Sequence, residues 1–244
     1  MTGCRPNTRA FNSAQSISDL PDGHYASGNC GCVNNGKPNA KASLGLVFGM
    51  CKGGGTIITV AEPVPAHMRQ TNNCGELLAV LVQILFHIAL TPSGDNCYIY
   101  TDSDYALQVT VGGVAERHAA YRWASKPENM GIMKLLVVFS TLLPKLRMLP
   151  VMSHTNAGDI ATKWNAAADD LASHGLSMDN NSGPFLSLLT AVEAIDLSAR
   201  KPDIAAAVTQ AVHNFVTQTD NDTHQNDYNQ LNNLDQSSAA QHGD

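Results

Sequence analysis

The sequence predicts an α/β protein, a mixed five-stranded sheet with helices packed on it, and three observations carry that expectation. The first is Cys97-Tyr98-Ile99-Tyr100-Thr101-Asp102-Ser103, where β-forming residues run into an acidic, hydroxyl-rich turn with helix-compatible residues behind it. The second is Leu77 to Phe86, apolar on nearly every side and therefore a helix meant for the interior. The third is the order of elements: three strands, a helix, a strand, helices, a strand and a helix.

In chain order, residues 1–20 are polar and lack periodicity, so they read as a disordered leader. His24 to Gly28 makes a short, weakly apolar strand, and Asn34-Asn35-Gly36-Lys37-Pro38 a turn. Leu44 to Met50 and Thr56 to Ala61 flank Gly53-Gly54-Gly55 as a hairpin. Thr71 or Asn72 caps the apolar helix, which Thr91-Pro92 stops. Residues 104–124 carry a helix interrupted near Gly112-Gly113, and a second helix spans about Met130 to Leu143. Leu146 to Met152 is a strand that its proline places at an edge. A helix from about Trp164 to His174 follows the loop that holds His154. The expected organisation is a domain over residues 21–178, a helical extension over 179–217, and a disordered acidic Asn/Gln-rich tail over 218–244.

Composition narrows the functional classes. The net charge is −6, and the last 27 residues hold five Asp with no Lys, Arg or Glu, so the body is near neutral. It carries no broad basic field, and any phosphate contact must be local. No apolar leader suggests secretion, and no run reaches the roughly 18 apolar residues of a membrane span. The six cysteines include no pair of pairs at zinc spacing. They read as free thiols of an intracellular, reducing compartment.

Asp102 at a strand end stands where α/β sheets keep their sites, although an N-cap role would explain it equally well. Glu76, in the first turn of the apolar helix, is either a partner of the helix dipole or a site carboxylate. Four blocks taken together decide more. Cys32 to Pro38 contains an Asn-Gly turn; Arg69-Gln70-Thr71-Asn72-Asn73-Cys74-Gly75-Glu76 opens the helix; Tyr100-Thr101-Asp102-Ser103 ends the central strand. His154 precedes Asn165-Ala166-Ala167-Ala168-Asp169-Asp170-Leu171-Ala172. In this order and spacing the chain resembles the type 1 ribonuclease H family over roughly residues 23–175.

The resemblance implies a ribonuclease H-like fold with helices on both faces of the sheet. It also implies an endonuclease that hydrolyses the RNA strand of RNA–DNA hybrids with two Mg²⁺ ions, for which Mn²⁺ can substitute. Two such ions neutralise the phosphate, activate water and stabilise the leaving oxygen. By resemblance Glu76, Asp102 and Asp169 are catalytic metal ligands, and His154 assists proton transfer or product release. Asn35, Asn72 and Asn73 match residues that read the RNA strand, and Arg69 and Thr71 a pocket for a DNA phosphate. Trp123, with Arg117, Arg122 and Lys126 around it, faintly matches a basic hybrid-binding segment. A monomer is expected.

Three positions depart from the family. The family's spacing places its first aspartate at Asn29, with Cys30 where glycine is usual and Gly75 where alanine is usual. An amide oxygen can touch Mg²⁺ but contributes no charge. Asp22-Gly23 offers a substitute aspartate only if the strand shifts by seven residues, which would invert its faces. The alternative function is therefore a catalytically degenerate protein that binds nucleic acid or a protein partner. A resolvase- or integrase-like nuclease fits the Thr-Asn-Asn segment less well.

Overall fold

A computed structural model describes residues 14–52, 54, 57–111, 129–152, 158–179 and 183–220. The strands are β1 (His24–Val33), β2 (Lys41–Met50), β3 (Ile58–Pro63), β4 (Cys97–Thr101) and β5 (Leu146–Pro150). The helices are α1 (Asn72–Leu90), α2 (Asp104–Val111), α3 (Met130–Ser140), α4 (Ile160–Gly175), α5 (Pro184–Glu193) and α6 (Lys201–Asp220). The five strands form one mixed sheet in the order β3-β2-β1-β4-β5. β1, β2 and β3 are antiparallel neighbours, while β1–β4 and β4–β5 are parallel. This is the fold class the sequence predicts, with helices on both faces.

Alternation along the strands separates two cores. Ala26, Leu44, Leu46, Phe48 and Ile99 face α1, α2 and α3. Tyr25, Val47, Tyr98, Tyr100 and Leu149 face α4 and its Trp164. On that second face Tyr25 stacks on Tyr98 with centroids 4.6 Å apart, and Trp164 lies tilted 6.0 Å from both Tyr25 and Tyr100. α4 comes unusually close to the sheet because β2 presents Gly45, where an added Cβ would lie 2.1 Å from the Ala168 carbonyl oxygen. Beside it the Ser43 hydroxyl donates to the Ala172 carbonyl at 2.5 Å.

α1 is buried on all sides, as its composition requires. The sheet covers one side and α3 and α6 others, with the Phe86 ring 6.1 Å from Phe215. By length and mean hydropathy (1.7) this helix would suffice to cross a membrane, contrary to the sequence reading, but 72% of that stretch is enclosed by the fold. Its one imidazole, His87, is fully buried. Nε2 donates to the Tyr98 carbonyl (3.3 Å), Nδ1 accepts from the Thr91 hydroxyl (3.0 Å), and the ring meets Phe48 edge-on. Both ring nitrogens are thus satisfied in the neutral form.

Several local expectations change. Residues 14–20, expected to be loose, form a 3-10 turn over Ile17–Asp19 whose Asp19 carboxylate accepts from the Ser16 amide. Ala14 and Leu20 are buried, and the Ile160 amide donates to the Ala14 carbonyl. Isolated apolar residues without a period give no sequence signal for such docking. β1 runs ten residues, not five, because β2 supplies a full antiparallel partner to its glycine- and cysteine-rich half. α4 starts a turn earlier than expected because Asp159 caps it, accepting from the Thr162 amide at 2.8 Å. Residues 112–128, including Trp123 and its basic neighbours, lie outside the described residues, as do 1–13 and 221–244 of the expected leader and tail.

Gly75 and Cys30 are explained together. A Cβ on Gly75 would lie 2.2 Å from Cys30 Sγ, so the thiol on β1 fills the space an alanine methyl on α1 would take. Gly75→Ala alone should destabilise the fold by about 1–3 kcal/mol through overpacking. Adding Cys30→Gly should recover most of the loss, a coupling that a urea-denaturation double-mutant cycle measures.

Burial holds the His87 imidazole well down, to about 3, against an ordinary value of 6.5. The folded state therefore binds fewer protons than the unfolded chain between those values, and stability present above pH 6.5 is lost as pH falls toward 3. Each pH unit in that window costs about 1.4 kcal/mol from this group. Urea unfolding of His87→Gln should show a correspondingly shallower acid slope than wild type.

Candidate active site at the end of the central strands

The candidate site is assembled at the C-terminal end of β4. The parallel register pairs Ser27 with Tyr100, so two residues further on Asn29 comes beside Asp102. Alternation puts Asn29 on the face of Tyr25 and Ser27, and Asp102 on that of Tyr98 and Tyr100. Asp102 Oδ2 accepts from Asn29 Nδ2 at 3.4 Å. It also accepts from Asn165 Nδ2 at 3.4 Å, reaching across from α4. Asn29 Oδ1 in turn accepts the Cys30 amide at 2.7 Å.

This register answers the question of the first aspartate. Asp22 lies at the opposite end of β1, where its carboxylate is 3.6 Å from Lys52 Nζ and its carbonyl accepts from Asn96. Seven residues of extended chain place it roughly 23 Å from Asn29. Asn29 is the residue that meets Asp102, and the shifted strand does not occur.

Glu76 enters from α1. Thr71 caps that helix by accepting from the Cys74 amide, so Glu76 falls in its second turn with its side chain directed past the strand ends. Its two oxygens are held apart: Oε1 accepts from Asn72 Nδ2 and Oε2 from the Ser103 hydroxyl, both at 2.5 Å. Burial raises its pKa, the Ser103 hydrogen bond pulls it down, and the Asp102 charge pushes it up again. Glu76 and Asp102 therefore stand in each other's field.

Asp102 is not the cap of the helix that follows. Ser103 accepts from the Ala106 amide at 3.1 Å through its hydroxyl, and its carbonyl accepts from Leu107. Ser103 thus starts α2 and steadies Glu76 with the same oxygen, which leaves Asp102 free for the site. The motif pointed to Asp102; the double duty of Ser103 and the reach of Asn165 could not be read from local spacing.

Asp169 lies four residues after Asn165 on α4, hence on the same helical face, and is half-buried. Among the described residues no three His, Cys, Asp or Glu side chains gather so as to hold a metal ion. The carboxylates of Glu76, Asp102 and Asp169 are hard oxygens of the kind Mg²⁺ takes, with water and substrate oxygens completing its shell. At the position that the resemblance gives to the first aspartate, Asn29 offers Asp102 an N–H and no carboxylate. His154 lies outside the described residues. Asn35 and Asn73 are exposed, while Arg69 and Thr71 are half-buried beside the head of α1.

Comparison with known proteins agrees with this architecture. The profile of the RNase H family matches residues 29–177. Among solved structures, the prototype foamy virus protease–reverse transcriptase matches with TM-score 0.52 at 20% identity, over 65% of this chain and 21% of that one. The foamy virus RNase H domain alone matches with TM-score 0.50 at 16% identity, over 65% of this chain and 97% of that one. The match thus spans about a fifth of the viral protease–reverse transcriptase and nearly all of the RNase H domain. Comparison with curated proteins gave no match.

Ser103→Ala removes a helix cap and a hydrogen bond to a carboxylate at once. It should cost about 2 kcal/mol in a denaturant melt, with Ser103→Thr restoring most of it.

Proposed function

The chain belongs to the RNase H family, and from that premise we propose that it engages RNA–DNA hybrids at this sheet end and cuts their RNA strand slowly. One observation carries the reading: Asn29 stands beside Asp102 and donates to it. The site keeps its position and its Glu76–Asp102 pair but lacks one negative charge.

Glu76 and Asp102 would hold a divalent ion, Mg²⁺ or Mn²⁺ in its place. A bound ion of this kind polarises a phosphoryl oxygen and lowers the pKa of a coordinated water. The rest falls to the chain's own groups. Asn72 and Ser103 fix both oxygens of Glu76, so the carboxylate is oriented before substrate arrives. Asn35 and Asn73, exposed, are available to ribose 2′-hydroxyls, the groups that distinguish RNA from DNA. Arg69 and Thr71, half-buried beside the head of α1, are assigned a strand-phosphate contact from resemblance. Asp169, one helical turn beyond Asn165 on α4, is assigned a metal-ligand role and His154 proton transfer, both from resemblance alone.

With no broad basic field in the body of the chain, hybrid affinity should be modest and should fall steeply with added salt.

The test is cleavage of a labelled hybrid in Mg²⁺ and then Mn²⁺. Asn29→Asp should raise kcat/KM by about 100-fold, equivalent to about 2.7 kcal/mol of transition-state stabilisation, with little change in hybrid affinity. Asp102→Asn should abolish the residual cutting, and Asp169→Asn should reduce it less. Wild type cutting as fast as Asn29→Asp would overturn the proposal, as would failure to bind hybrid. Hybrid binding with cutting only in Asn29→Asp would establish the degenerate alternative instead.

A further inference from the structure

Asp102 Oδ2 receives two amide N–H groups, from Asn29 on β1 and Asn165 on α4. We propose that these two amides are a built-in substitute for a cation, a clamp that holds Asp102 in place in the metal-free chain. The inference deepens the proposed reading of the same site and gives Asn165 a positioning role that the family motif does not assign.

Three features support it. Both amide nitrogens lie at 3.4 Å from the same carboxylate oxygen, long contacts that converge on one atom. Asn165 is 4% exposed, and its carbonyl oxygen is buried without a hydrogen-bond partner. A buried amide oxygen left unpaired is costly, and a half-turn of the amide would set oxygen against the Asp102 carboxylate. The amide therefore keeps its N–H toward the carboxylate. Finally, the clamp adds a polar tie between elements that already pack on one another, β1 beside β4 and α4 over both. Asn29 and Asn165 lie 73 and 63 residues from Asp102 in the chain, so the contact fastens β1, β4 and α4 at one atom.

A carboxylate at position 29 would reverse the effect. Asp102 and Glu76 already oppose each other's charge, and a third acid would repel both until a cation sat among them. The amide removes that requirement. The chain gives up tight metal binding and obtains a site end that is assembled without metal.

Thermal melts of the full chain, with EDTA and with millimolar Mg²⁺, test this without substrate. Wild type should shift by less than about 1 °C on adding Mg²⁺. Asn29→Asp should melt roughly 3–8 °C lower in EDTA and regain most of that in Mg²⁺. Asn29→Ala, which deletes the donor without adding charge, should fall by a smaller amount. Asn165→Ala should melt roughly 2–5 °C lower in EDTA and recover in part with Mg²⁺, which a simple packing void would not do. A wild-type gain from Mg²⁺ as large as that of Asn29→Asp would overturn the clamp. So would an Asn165→Ala loss that Mg²⁺ leaves untouched. Because no hybrid enters these melts, the clamp and the hybrid-cleavage reading can fail separately.

Discussion

The parallel pairing of β1 with β4 is the constraint on which the site depends. It sets the register that carries Asn29 to Asp102, and both flanking cores enforce it. A slip of one residue would turn Tyr25 and Tyr98 away from Trp164 and drive Ala26 and Ile99 out of the α1 core. The aromatic stack beneath the strand ends and the aliphatic layer above them thus fix the position of two polar side chains that stabilise little themselves. Hydrophobic burial supplies the precision, and the polar groups use it.

The second dependence is the close approach of α4. A side chain larger than glycine at position 45 would push that helix off the sheet, and Asn165 would lose its reach to Asp102. The exchange between Cys30 and Gly75 works similarly on the other face. A thiol and a missing methyl trade volume, so α1 keeps its distance from β1 and Glu76 keeps its approach to Ser103. Departures from the family pattern that look unrelated in sequence are neighbours in space.

How much of this could be read from sequence depends on the range of the interaction. The mixed five-stranded sheet, the all-round burial of α1 and the candidates Glu76 and Asp102 rest on periodicity and short motifs, which are local. Asn29 was also identifiable, by counting back from the Asn-Gly turn. The rest involved partners far apart in the chain. The far half of β1 forms because β2 pairs with it, and residues 14–20 settle because α4 offers them a seat. The Ser103 hydroxyl has two partners, one local and one 27 residues away, and only the local one leaves a trace in spacing. Asn165 belonged to a recognisable motif, but its contact with Asp102 is set by how closely two layers pack.

The helices α5 and α6 lie beyond residue 177, where the family profile stops. Yet Ile204, Val208, Val212 and Phe215 are buried with Phe86 in the main core. A fragment cut to the profile's limits would leave one side of α1 as a bare hydrocarbon strip, prone to self-association. Whoever trims this chain for biochemistry must count its trailing helices as part of the folding unit and not as an appendage.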